Sequence, residues 1–277
     1  TAYNDAVAAA FAAVTGKQII VPPFNGVIGA IGMALLANLA AYDFGYICVE
    51  EFLQRTENTL SSMEKLERYR GHFYNWYDTR TLKPLFPHYV SSVDSGNLAG
   101  SLLTLQAGLV ELKNQPVLSA NAFQGLQDTL QVLAEHLPPS PVPDFAKEIK
   151  FLQDTLHSFT LNGQPQTLAA AGILLDEIRP SSGGLVALLP ADIDIDDELY
   201  YWAQAFDKQC RALRHDLGLL VPGPHHFSNI PTLAELAREK AVGIESLSSA
   251  VPLYKGAVER LRIIDDLVNR CRELAVM

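Results

Sequence analysis

From Pro116 onward the chain is a succession of apolar-periodic stretches cut by proline and glycine, and that punctuation constrains the fold more than any other feature. The spacing predicts helices over residues 120–135, 143–161, 167–178, 194–217, 232–242 and 251–276. Breaks are expected at Pro138-Pro139, Asn162-Gly163, Pro180-Ser181-Ser182-Gly183-Gly184, Pro222-Gly223-Pro224 and Pro252. Helices joined in this way pack as hairpins or as a bundle. Upstream, Phe52, Leu53, Thr56, Leu60, Met63 and Leu66 recur at helical spacing over residues 49–70, which reads as a surface helix with one buried stripe. Another helix is expected over 94–112, with Ser92 or Asp94 as its N-cap. The N-terminus differs: a helix over 5–14, a short β-branched strand over 18–21 closed by Pro22-Pro23, a glycine-punctuated turn over 25–32, and a helix over 33–41. The fold class is mainly α, with a small α/β element at the N-terminus.

With 21 Lys plus Arg against 31 Asp plus Glu, the net charge is −10, which argues against nucleic acid and for a neutral ligand or protein contacts. Three cysteines, Cys48, Cys210 and Cys271, are far apart and odd in number, so neither a disulfide framework nor a zinc site is expected, and a reducing compartment is the simpler reading. The most apolar run, over 27–41, is shorter than the ~20 residues that a membrane helix requires, and no charged segment precedes it to mark a signal peptide. The chain is expected to be soluble. It opens on Thr1 and ends on Met277 inside a helical pattern, as a piece of something longer would.

Residues 69–100 carry the chemistry. They read Tyr-Arg-Gly-His-Phe-Tyr-Asn-Trp-Tyr-Asp-Thr-Arg-Thr-Leu-Lys-Pro-Leu-Phe-Pro-His-Tyr-Val-Ser-Ser-Val-Asp-Ser-Gly-Asn-Leu-Ala-Gly, mixing aromatics, polar groups and two acids in one loop. Such a mixture suits a sugar, whose C–H faces stack on Trp and Tyr while its hydroxyls need directional partners. In an extended loop Tyr74, Trp76 and Asp78 would share one side. The plainer reading is that these aromatics staple a long loop to the core. Gly96 and Gly100, four apart, would leave a helix face open for close packing. Asp94 at the helix start would be held ionised by the helix dipole, as a hydroxyl acceptor or simply as a cap.

The same residues closely resemble the part of bacterial cyclic β-1,2-glucan synthases that precedes and begins their glucoamylase-like (α/α)6 transglycosylase region; the resemblance runs from about Gly32 to the C-terminus. It implies helical hairpins of an incomplete (α/α)6-barrel-like region plus a helical bundle, with 37–115 supplying the opening helices and substrate loop and 116–277 the bundle. It further implies a β-1,2-glucan oligosaccharide as ligand, contacted by Arg70, His72, Tyr74, Trp76, Asp78, Arg80, Ser92, Asp94 and Asn97. The partners implied are the remaining domains of a parent synthase, whose soluble region would lie in the cytoplasm at the bacterial inner membrane. Sugar transfer with retention needs a carboxylate pair roughly 5–5.5 Å apart. In the resembling family that pair lies downstream of a motif that would begin where this chain stops, so the expectation is a fragment with no catalytic residue, no cofactor and no metal, inactive alone. The alternative is a helical scaffold that docks neighbouring synthase domains.

Residues 1–36 carry a second resemblance. Asn4-Asp5-Ala6-Val7, Gly16-Lys17-Gln18-Ile19-Ile20-Val21-Pro22-Pro23 and Gly29-Ala30-Ile31-Gly32-Met33-Ala34-Leu35-Leu36 are similar to the C-terminal end of acyl-CoA dehydratase activator ATPases. The two resemblances meet near residues 30–37, at a junction of two families or in a diverged N-terminus. An activator relative as a whole would need ATP and an iron–sulfur cluster, whose cysteines are missing in this chain. Other motifs weigh less. The acids from Asp192 to Glu198 lack the turn glycine of an EF-hand and read as a helix N-terminus. His225-His226 has no third ligand nearby, and Gly26, Gly29 and Gly32 lack the Lys-Ser/Thr of a phosphate loop.

Overall fold

The computed structural model describes residues 25–139, 141–161, 167–189, 194, 197–221, 227–239 and 254–276. The helix and strand expected over 5–14 and 18–21, and the breaks at Asn162-Gly163, Pro222-Gly223-Pro224 and Pro252, lie outside them, as do His225 and His226. The described residues are mainly α-helical: α1 Ile28–Asp43, α2 Val49–Glu64, α3 Ser92–Leu112, α4 Ala120–Glu135, α5 Pro143–Leu161, α6 Leu168–Leu188, α7 Glu198–Leu220, α8 Leu233–Arg238 and α9 Lys255–Ala275. Among them are four short strands, β1 Asn25–Val27, β2 Arg68–Tyr69, β3 His72–Phe73 and β4 Trp76–Asp78, which pair antiparallel as β1 with β4 and β2 with β3. No helix among the described residues is long and apolar enough to cross a membrane. Cys48, Cys210 and Cys271 are buried and free, and burial pushes their thiols up to about 11, about 12 and about 11.

Two compact units divide the chain, one drawn from residues 1–39, 54–110 and 264–277, the other from 40–53 and 111–263. In the second, α4 packs on α5 and α7, and α6 on the same two helices, which closes a four-helix bundle. Its core is built from Leu126, Leu130, Leu152, Leu174, Phe206 and Cys210, all essentially without solvent contact. The expected break at Pro180 does not occur: α6 runs through it to Leu188. A mid-helix proline forfeits one backbone hydrogen bond and costs about 3 kcal/mol. Here Leu174, Leu175, Ile178, Ser182 and Leu185 continue one buried stripe across the proline, and the Ser182 hydroxyl donates to Asp207 Oδ1 at 3.0 Å, so burial on the far side outweighs the lost bond. At the start of α7, Asp197 accepts the Leu199 amide at 2.8 Å and so caps the helix.

The stripe read over 49–70 is buried as expected, with Phe52, Thr56, Leu60 and Met63 at 1% exposure or less, but the helix stops at Glu64. Residues 68–73 instead form a two-residue hairpin. Arg70 (φ 52°) and Gly71 (φ 92°) both occupy left-handed backbone, as such a loop demands. The Glu67 carbonyl is taken by the Tyr77 hydroxyl at 2.7 Å, so the chain leaves the helix to meet a residue ten positions on.

The glycine reading is also corrected. Gly96 and Gly100 are exposed, and a Cβ at either would meet nothing within 4 Å. Close approach occurs elsewhere, at Gly32, whose Cβ would lie 2.8 Å from Ser101 Oγ, and at Gly108, whose Cβ would lie 2.8 Å from a Leu39 methyl. Gly96→Ala and Gly100→Ala are therefore each expected to raise the stability of α3 by up to about 1 kcal/mol through helix propensity. Thermal unfolding checks this, and a loss of stability in either variant would mean that the face is packed.

Candidate functional site

The loop between α2 and α3 is held by its buried residues. Phe73 (2% exposed) lies under the Arg68 guanidinium at 4.3 Å, and Tyr77 (4%) donates to the Glu67 carbonyl and accepts the Tyr74 amide at 2.8 Å. Burial pushes the Tyr77 hydroxyl up to about 12, so it stays a neutral anchor. These two aromatics staple the loop, and they free the alternate positions: β4 is half-buried, buried, half-buried along Trp76, Tyr77 and Asp78. The chain then turns back. Asp78 Oδ1 accepts the amides of Arg80 and Thr81 at 2.9 Å each, the Asp78 amide donates to the Lys83 carbonyl at 2.9 Å, and the Leu85 amide donates to the Trp76 carbonyl at 3.2 Å. The Thr81 and Arg80 amides hold the Asp78 carboxyl below its ordinary range.

The returning segment after that turn brings up residues that the sequence reading did not single out as ligands. Phe86 stacks on His88 at 4.1 Å and 14°, His88 lies 4.9 Å from Tyr74, and Tyr74 lies 6.5 Å from Tyr69, which makes a column of four rings. Beside it Trp76 stacks on Tyr89 at 5.9 Å and 20°, while its Nε1 donates to the Leu85 and Pro87 carbonyls at 3.1 Å. Phe86 is 83% exposed, Tyr89 53% and Tyr69 50%. Leaving so much aromatic surface in water within residues 69–89 is what marks a contact surface, because a lone exposed ring is ordinary but a cluster of neighbouring ones is not. The signal available was the alternation of Phe86 and His88 about Pro87, which continues the alternation of residues 74–78.

The nine residues named from the sequence fall in three places. Tyr74 and Trp76 belong to the ring cluster, and Arg70, at the hairpin tip, holds its guanidinium 5.4 Å from the Tyr69 ring. Asp78 ends β4 and Arg80 lies in the turn that follows, so Asp78 shares a face with Trp76 while its Oδ1 is spent on the turn. His72, Ser92, Asp94 and Asn97 gather at the start of α3. His72 Nδ1 is 3.3 Å from Ser95 Oγ, Asp94 is half-buried with Oδ1 3.3 Å from where a Cβ on Gly29 would sit, and Ser92 and Asn97 are exposed. The cap of α3 is neither Ser92 nor Asp94: Ser91 Oγ accepts the Asp94 amide at 3.1 Å, because the residue just before the first helical one reaches the third amide.

No protein-family model matches the chain. Among curated proteins, the cyclic beta-(1,2)-glucan synthase NdvB of Rhizobium meliloti (strain 1021) is 40% identical over 124 residues, which cover 44% of this chain and 4% of that much longer protein. The resemblance to cyclic β-1,2-glucan synthases is thus matched by alignment over 124 residues, at an identity that supports a glucan synthase fragment.

Proposed function

We propose that this chain is a glucan-handling fragment of a cyclic β-1,2-glucan synthase, binding a β-1,2-linked glucose chain across the ring cluster of residues 69–89. The observation that carries the reading is the column of Phe86, His88, Tyr74 and Tyr69, exposed at all but the half-buried Tyr74, beside the stacked Trp76 and Tyr89, on a chain similar to a synthase that by name makes such a glucan. Glucose rings lie flat on such platforms. Arg70, His72, Arg80, Ser92, Asp94 and Asn97 offer hydroxyl partners around it, with the remaining oxygen of Asp78 as a further acceptor. In this reading residues 37–115 are the substrate-bearing part of a transglycosylase region, 116–277 are its helical bundle segment, and 1–36 have a separate origin. The carboxylate pair for transfer lies elsewhere in the parent, whose soluble region faces the cytoplasm at the inner membrane.

A scaffold role is the second reading. It is favoured by the internal satisfaction of Trp76 Nε1, the Tyr77 hydroxyl and Asp78 Oδ1, which a loop locked only for packing would also show. Calorimetric titration with linear β-1,2-glucooligosaccharides separates the two. Saturable heat is expected, weakened several-fold in Phe86→Ala and in Tyr74→Ala, since an aromatic stacking contact contributes about 0.5–1.5 kcal/mol. Phe86 is so exposed that its removal leaves folding intact, which keeps the comparison clean. No heat from folded wild-type chain would sink the glucan reading in favour of the scaffold.

A further inference from the structure

The four-helix bundle carries a basic cleft that the ring cluster does not involve. Arg179 of α6 and Arg211, Arg214, His215, Gly218 and Leu219 of α7 line an open cleft of about 350 Å³. On α7 these positions recur at i, i+3, i+4, i+7 and i+8, so one helical face supplies most of the lining. On a chain of net charge −10, three guanidinium groups gathered at one cleft are unexpected from composition.

How the arginines are held matters more than their number. Arg211 Nε is fixed by Asp207 Oδ2 at 2.7 Å, and Arg214 is fixed by Asp176, through Nε at 2.8 Å and Nη2 at 3.1 Å. Among the described residues, each carboxylate pins a guanidinium plane and leaves other N–H donors unused. Arg214 Nη1 lies 3.6 Å from the place of a Cβ on Gly218, and Arg211 Nη2 lies 3.5 Å from the place of a Cβ on Gly183. Arg179 makes no side-chain hydrogen bond or ion pair among the described residues, and it faces Asp176 only through its field. Three arginines against Asp176 and Asp207 leave an excess of positive charge, with the forks of Arg211 and Arg214 pre-oriented.

We propose that this cleft binds a phosphate group, best a diphosphate, whose tetrahedral oxygens match several guanidinium forks at once. A volume of about 350 Å³ is at the small end for ligand sites, which suits a compact phosphate-bearing solute or headgroup rather than a polymer. The site is independent of the glucan reading and survives its failure.

Calorimetric titration of the chain with inorganic pyrophosphate tests it. Binding at about 1 mM or tighter is expected. Arg179→Glu should weaken it at least about tenfold, and Gly218→Leu, which fills the cleft without removing a charge, should weaken it similarly. Arg262→Ala, which removes an exposed arginine paired with Glu259 on α9, should leave it unchanged. Co-sedimentation with phosphatidylglycerol vesicles distinguishes the source: binding to pyrophosphate alone assigns a soluble phosphate, and tighter capture by vesicles assigns a lipid headgroup. Absence of saturable pyrophosphate binding to folded wild-type chain, or equal weakening in Arg262→Ala, would overturn the proposal.

Discussion

Replacing Arg260 with Met is expected to destabilise the bundle unit by about 3–5 kcal/mol, the loss typical when one partner of a buried ion pair is removed. Arg260 and Asp216 are each 4% exposed, and Arg260 Nη2 donates to Asp216 Oδ1 and, at 3.0 Å, to the half-exposed Glu50. Asp216 also accepts the Glu50 backbone amide at the start of α2, where a helix leaves amides unpaired. Burial raises the Asp216 pKa, and the Arg260 charge and hydrogen bond only partly oppose this. Without Arg260, Asp216 is left as a buried charge that must take up a proton.

The variant should therefore be pH-dependent, with a definite sign. A carboxyl whose folded pKa lies above its unfolded value lowers stability as pH rises through the folded pKa, and lowers none below an unfolded value of about 3.9. The Arg260→Met deficit should be largest at neutral pH and shrink as pH falls. Asp216→Asn keeps an acceptor for both donors, retains Glu50 as a partner for Arg260, and removes the desolvated charge, so it should lose much less. Urea unfolding followed by circular dichroism, run at neutral and at mildly acidic pH, reads all three effects. A pH-independent deficit would assign the loss to packing alone.

Gly45→Ala should be comparably damaging, by about 2–5 kcal/mol. Gly45 has φ 78°, where a side chain costs about 1–2 kcal/mol. An added Cβ would also lie 1.9 Å from the Asn121 carbonyl oxygen, and overpacking against backbone that cannot rotate away adds about 1–3 kcal/mol. The contact is reciprocal. A Cβ on Gly125 of α4 would lie 2.3 Å from the Gly45 carbonyl oxygen, which the buried Gln209 amide also binds at 2.7 Å. Gly125→Ala consequently sets a helix-propensity gain of about 1 kcal/mol against a backbone clash, and the clash should win. It is thus expected to behave opposite to Gly96→Ala, the same substitution on an open face. Chemical denaturation of the two variants side by side checks this, and stabilisation of Gly125→Ala would mean that the α1–α2 turn can lift off α4.

How a residue's role could be read depended on where its reason lay. The ring cluster was half legible. Trp76, Tyr74 and Asp78 stood out because alternation along a strand is local, whereas Phe86, His88 and Tyr89 join them only when the chain folds back on β4. Asp78 showed its acid but not its duty, since the amides that occupy Oδ1 are presented by a turn. Asp216 and Arg260, 44 positions apart, gave no sign of each other, because a buried ion pair has no sequence spacing.

By itself the sequence determined the helical character of the chain and the bounds of α4 and α5, where apolar periodicity and flanking prolines act within a few residues of the backbone they shape. It also determined the alternation that turns Trp76 away from Phe73 and Tyr77. Only the tertiary structure decided that α6 would run through Pro180, that α2 would give way to a hairpin at Arg68, and that Gly45 and Gly125 rather than Gly96 and Gly100 would mark the tight contact. At Pro180 and at Gly125 a local preference of about 1–3 kcal/mol was set against burial or backbone contact with residues distant in the chain, and the distant partner contributed more free energy than the local preference opposed.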